Sequence, residues 1–308
     1  MAFLSTNCFL SYVSPMVTCF WVMLYIFGSC KQLMLCKIYN SGHMSDTEER
    51  EIIYTISKGE GGNRVQLAML GVGNGFSPGI YDNNAVIRHR DGLSLIDCGT
   101  TAWVSMDQMK LSREDVREIF LTHLHFDHSG GVESAALYSQ YMWGRRYRLI
   151  VPKPIKARLW DHVLKGTIEN SKDRLTTLED YFDVVSPEEG EVFDFCGTRA
   201  RWIQTRHVDE KFSCGILMGA RFFYTSDMRC NRELLEQLHS DGVELIFHDC
   251  QLTGKVVTHG DFKELCSYPD ALRRKLYLMH HGLSEASDLP DSKGMHFLFQ
   301  QQWMDLRV

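Results

Sequence analysis

Four side chains able to hold a cation stand within six residues of one another: His123, His125, Asp127 and His128, in the segment THLHFDHSGG from Thr122 to Gly131. Imidazole nitrogen and carboxylate oxygen are the donors that zinc and manganese accept. Side chains alternating at the end of a strand set His123 and His125 on one ion, while Asp127 and His128 turn toward a second. Gly130 and Gly131 let the backbone turn tightly into a helix. The competing reading is a chance cluster on a solvated loop, and what lies downstream weighs against it. A dinuclear site needs about three more ligands to close its shells. His207 follows the run at residues 202–206, Asp227 ends a run at 221–226, and His280 ends a run at 275–279. Each alone reads as a hydrogen-bonded loop residue. Together, in order behind the histidine-rich segment, they complete two ligand sets: His123, His125 and His207 for one ion, and Asp127, His128 and His280 for the other. Asp227 is shared, and His281 is the substitute for His280.

The elements that must carry these residues are readable as apolar runs. Residues 119–121 precede the first ligands as a strand. Residues 85–88 and 93–96 flank Asp91-Gly92 as a hairpin. Ser112 followed by residues 113–118 predicts a capped helix. Residues 155–164, 174–182, 231–238, 261–266 and 269–275 are the other helical candidates. Strands and helices mixed in this order fit a layered α/β sandwich.

At this point the chain resembles the metallo-β-lactamase-fold hydrolases, and most of all their ribonuclease Z-like branch. The glycine-rich segment Leu70 to Gly75 is similar to that branch's first strand-turn, LIDCG at Leu95 to Gly99 to its second strand, and the run His123 to His128 to the family signature. The likeness covers roughly residues 65–282. It implies an αββα sandwich holding two divalent ions, zinc first and manganese as the alternative, with Asp227 as the bridging carboxylate. Class B lactamases often have Cys where this chain has Asp227, which favours phosphodiester over β-lactam chemistry. Ribonuclease Z-like enzymes also carry an acid that orients a later histidine to protonate the leaving oxygen. Here the matching residues are Asp249, in Phe247-His248-Asp249-Cys250-Gln251, and His259, with Asp replacing the family's longer Glu. The catalytic set so implied is Asp127, Asp249 and His259.

Ribonuclease Z grips tRNA with a long basic arm, whereas residues 151–201 are ordinary in length and include the acidic runs 178–183 and 187–189. A small substrate fits better. The compact core is similar to the phage anti-Pycsar proteins, which implies hydrolysis of cyclic nucleotides such as cyclic CMP and cyclic UMP to 5′-monophosphates. The alternatives are a tRNA 3′-end endonuclease, favoured if Arg145, Arg146, Arg148, Lys153, Lys156 and Arg158 line a groove, and a non-catalytic metal-binding interaction protein. Relatives of this kind are commonly homodimers, and Phe297, Phe299 and Trp303 offer an interface; docking of the tail on its own core is the simpler use of them.

Composition bounds the rest. The chain has 308 residues, 44% of them hydrophobic and 23% charged, with a net charge of −6. An acidic chain is a poor generic partner for a polyanion, so no stable nucleic-acid partner is expected. Ten cysteines without CxxC spacing fit reduced thiols and a cytoplasmic protein, in the host cytoplasm if the chain is viral. Residues 1–30 carry no charge. Residues 8–28 are apolar enough to anchor in a membrane, which would leave the catalytic part in the cytosol. Met44, however, opens a soluble-looking segment, so residues 1–43 read better as an upstream extension from a mis-assigned start. The expectation is an apolar leader at 1–43 and a single domain at 44–308.

Overall fold

The computed structural model describes residues 17–26, 29–38, 51–56, 64–283 and 286–308. Met1–Gly61 and Gly62–Val308 are two compact units. In the first, β1 (Val17–Ile26), β2 (Ser29–Ile38) and β3 (Glu51–Ile56) form an antiparallel sheet in that order. Met44, the candidate start, lies outside the described residues. Among the described residues, no helix is long and apolar enough to cross a membrane.

The second unit holds two seven-stranded sheets. Strands β4 (Arg64–Met69), β5 (Ala85–His89), β6 (Gly92–Ile96), β7 (Val116–Phe120), β8 (Arg148–Ile150) and β9 (Asp183–Val185) lie side by side in chain order. So do β10 (Phe193–Phe195), β11 (Thr198–Thr205), β12 (Ser213–Met218), β13 (Phe222–Tyr224), β14 (Leu245–Asp249), β15 (Leu276–Met279) and β16 (His296–Phe297). The tail strand β17 (Trp303–Arg307) returns to pair antiparallel with β4.

Alternation along the strands builds three apolar layers. On β4, Val65, Leu67 and Met69 face the gap between the sheets, where they join Phe193, Trp202, Ile216 and Phe222. Ala68, on the same strand, faces outward to join Trp103, Val132 and Leu159 from the helical side. On the second sheet Phe223, Ile246 and Leu278 face outward and meet Leu235 and Leu265 from two further helices. Helix, sheet, sheet, helix is the αββα order expected from the resemblance.

Several local expectations shift. Ser112 does cap a turn, accepting from the Glu114 amide at 3.2 Å, but the turn is a single 3-10 turn at Arg113–Asp115. The chain then extends into β7, because Val116, Ile119 and Phe120 are buried as strand residues. The helix expected at 155–164 begins at Lys153–Arg158 and runs on through a wide turn at Leu159–Leu164 to Lys165–Ile168. That expected at 174–182 narrows to Leu178–Tyr181, where Thr177 and Asp180 cap one another. Trp303 and Phe297 pack on the chain's own cores, so the tail does dock at home.

Candidate metal centre

The parallel runs β6-β7-β8-β9 and β13-β14-β15-β16 decide where the chemistry sits. In each run the strands end at one edge, and loops leaving that edge converge. The loop after β7 supplies His123 and His125, and the short helix Phe126–Ser129 supplies Asp127 and His128. His207 follows β11, Asp227 follows β13, Asp249 ends β14 and His280 follows β15. The Asn84 side chain fixes the helix: its amide donates to the Asp127 carbonyl at 2.8 Å while its oxygen accepts from the Gly99 amide. Only glycine fits at 99, since a Cβ there would overlap the Asp127 carbonyl.

All seven residues proposed as ligands come together in two groups that share Asp227. One is His123, His125, His207 and Asp227; the other is Asp127, His128, Asp227 and His280. In the first, His125 Nδ1 lies 3.1 Å from His123 Nε2 and 3.3 Å from His207 Nε2. Asp227 Oδ2 is 3.9 Å from His123 Nε2 and 3.6 Å from His207 Nε2. In the second, His128 Nε2 is 3.6 Å from Asp127 Oδ2 and 3.3 Å from Asp227 Oδ1, and His280 Nε2 is 3.5 Å from Asp227 Oδ2.

The donors are aimed. His207 Nδ1–H donates to the Thr258 carbonyl at 2.7 Å, and His128 Nδ1–H donates to Asp97 Oδ2 at 2.8 Å, so each leaves Nε2 for the centre. Such outer partners fix the ring and raise its basicity as a ligand. Asp97 is itself held: it accepts from the Thr122 amide at 2.8 Å and from the Ser226 hydroxyl at 3.3 Å. Asp97, Ser226 and His280 all adopt left-handed backbone, with φ of 64°, 53° and 63°.

Charge tells the same story. Burial pushes the imidazoles of His123 and His207 down, and that of His125 down to about 4, which keeps them neutral as ligands must be. Burial works against His280 too, but the Asp227 and Asp249 carboxylates overcome it and hold this imidazole at about 9. His128 is likewise raised, by Asp227 and Asp97 against burial. Burial would raise the Asp227 carboxyl, yet His280 and His128 hold it well below the usual range. The centre therefore attracts positive charge. His128 Nε2, Asp227 Oδ1 and both ring nitrogens of His280 are buried without a hydrogen-bond partner among the described residues. Buried polar atoms are rarely left so, and a pair of divalent cations fits this donor set.

Beside the proposed ligands, His259 Nδ1–H donates to Asp249 Oδ2 at 2.7 Å, and Asp249 Oδ1 lies 3.4 Å from His280 Nδ1. Burial lowers the His259 imidazole, but Asp249 more than compensates and raises it. His281 is not aimed at the centre: its Nε2 meets the Leu298 carbonyl at 2.8 Å and its Nδ1 accepts from the Leu283 amide at 3.3 Å. Sequence reasoning missed Asp97 and Thr258. A carboxylate ending a strand inside LIDCG was a signal for the first; a backbone carbonyl leaves no signal for the second.

The centre opens into a cleft of about 430 Å³ lined by Asp127, His207, Asp227, His259 and His280, with Phe76 and Phe126 packed edge to face beside it. Five of the six cations in the basic run that favoured an RNA groove, all but Arg158, are otherwise engaged. Arg145 and Arg146 donate to the carbonyls of Glu114 and Glu179, and Arg148, Lys153 and Lys156 pair with Glu118, Glu188 and Glu179. Cys98, Cys196, Cys214 and Cys250 are buried thiols.

A family model described as anti-Pycsar protein Apyc1 matches residues 65–304. The chain belongs to the anti-Pycsar Apyc1 family. An anti-Pycsar protein Apyc1 of Paenibacillus xerothermodurans is 34% identical over 240 residues, 77% of this chain and 96% of that one. Another, of Bacillus phage vB_BsuM-Goe3, is 32% identical over 237 residues, covering 70% and 89%. Among solved structures, the metallo-β-lactamase fold protein YhfI of Bacillus subtilis superposes with a TM-score of 0.61 at 12% identity, over 80% of this chain and all of that one. That likeness shows the fold: this anti-Pycsar family member is a metallo-β-lactamase αββα sandwich.

Proposed function

We propose that the chain is a two-metal phosphodiesterase that hydrolyses cyclic nucleotide signals, cyclic CMP and cyclic UMP among them, to nucleoside 5′-monophosphates and so counters a host defence. The observation that carries this reading is Asp227, shared between two histidine-carboxylate groups that stand beside the Asp249–His259 pair. Family membership and the names of bacterial and phage relatives support it.

Two divalent ions, zinc first, would supply Lewis acidity at phosphorus and a water acidic enough to react near neutral pH. His123, His125 and His207 would hold one, Asp127, His128 and His280 the other, and Asp227 both. Asp127 stands at the mouth of the short helix, where its Oδ2 accepts from the Gly75 amide at 3.1 Å; from there it orients the nucleophile together with Asp227. The 3′ oxygen leaves as a poor alkoxide and needs a proton. His259 offers one from Nε2, because Nδ1 is tied to Asp249. Homodimer formation remains part of the proposal.

The test is purified protein loaded with zinc or manganese and offered a panel of cyclic nucleotides and precursor tRNA, with products resolved by chromatography. Release of 5′-monophosphates is the expected result. Cleavage of the tRNA with every cyclic nucleotide untouched would replace this reading with the ribonuclease one, and no turnover of either would leave a binding protein.

A further inference from the structure

A second cleft, of about 240 Å³, reaches the same histidines through a different opening. His123, His125 and His207 border it, and the last two also border the main cleft. Its walls are of two kinds. Leu124, Val163 and Phe212 are apolar; Arg158, His162 and Lys211 are basic; among the described residues no Asp or Glu lines it. The neighbouring cations of this region are tied to acids or carbonyls, as described above. Arg158 and Lys211 differ, since neither has an ion pair or side-chain hydrogen bond among the described residues. Two free cations beside an apolar wall, next to a centre that handles phosphate esters, form a site for an amphipathic anion.

Charge selects which anion. A cyclic phosphodiester carries one negative charge, while a phosphate monoester has a second pKa near about 6 and is largely a dianion at neutral pH. Two unpartnered cations therefore favour the monoester over the diester. We propose that this second cleft binds a nucleoside 5′-monophosphate, with Arg158 and Lys211 holding the phosphate and Phe212 and Leu124 packing the nucleoside. Naming the ligand rests on the phosphodiesterase reading; the site then holds product next to the centre that forms it, and makes the enzyme sensitive to product.

The experiment uses the full chain loaded with metal and titrated by calorimetry with cytidine 5′-monophosphate, inorganic phosphate and cytidine. The monophosphate should bind, cytidine should not, and Arg158→Gln/Lys211→Gln should weaken the monophosphate by at least about tenfold, the loss expected for even one of the two charge-assisted contacts removed. Metal content should be unchanged in that variant. Phe212→Ala should weaken the monophosphate and leave phosphate binding alone. Equal binding of the monophosphate by wild type and the double variant would overturn the proposal, because the ligand would then sit on the metals alone. No binding to wild type would overturn it as well. Turnover is measured separately: a protein that binds the monophosphate through these cations but hydrolyses no cyclic nucleotide would sink the functional reading and leave the subsite standing.

Discussion

Replacing His259 by alanine should slow cyclic-nucleotide hydrolysis about 10²–10⁴-fold, the usual contribution of a positioned general acid. At 1.36 kcal/mol for each factor of ten, this is about 3–5 kcal/mol of transition-state stabilisation. The structure gives grounds for the whole range. Asp249 is fully buried and holds His259 Nδ1 at 2.7 Å, so the ring has one orientation. The Asp249 carboxylate, acting against burial, raises this imidazole, so it keeps its proton to higher pH than a free histidine does. The sign follows: the acid is present at low pH and lost as pH rises through its raised pKa, so kcat should fall on the alkaline side. In Asp249→Asn that limb should move to lower pH. Steady-state rates across pH, with metal content measured in parallel, test both variants, because Asp249 also lies 3.4 Å from His280. An ester with a p-nitrophenolate leaving group needs no proton and should be nearly indifferent to His259→Ala. If both substrates slow equally, His259 is not the acid and its role is in binding or in the metal centre.

Asp97→Asn should weaken metal binding about 10- to 100-fold, as losses behind a ligating histidine do, read by chelator competition. Elemental analysis should find two ions per active chain, and their affinity should climb from pH 6 toward about 9, since His280 must release its proton to bind; a flat profile would contradict that linkage. A chain beginning at Met44 should remain soluble and active, because every proposed ligand lies in the Gly62–Val308 unit; circular dichroism and turnover decide it.

The clustering of the proposed ligands was legible because each follows an apolar run, and a run that ends at a sheet's carboxyl edge exposes its next residues. His207, Asp227 and His280 are of this kind. Asp97 was not, although it too ends a strand: its carboxylate faces the back of His128, and only the third dimension brings residues 31 positions apart together. The misread helix at Ser112 has a local cause. A serine cap and five charged residues speak for a helix, whereas Val116, Ile119 and Phe120 need burial in a sheet, and tertiary packing wins. His281 was weighed beside His280 on composition alone; the left-handed turn at His280 sends the two rings to different tasks.

That turn recurs at Asp97 and Ser226, so three non-glycine residues about the centre stand in a backbone form that costs each of them about 1–3 kcal/mol. A chain emerging without metal must hold this tension while ring nitrogens of His128 and His280 and an oxygen of Asp227 stay buried without a hydrogen-bond partner among the described residues. Loading with ions would act as a clasp, closing last and locking the loops beneath it. Starvation for metal would then do more than silence the protein: it would shorten its lifetime, and scarcity of the ion would be read out as scarcity of the folded chain.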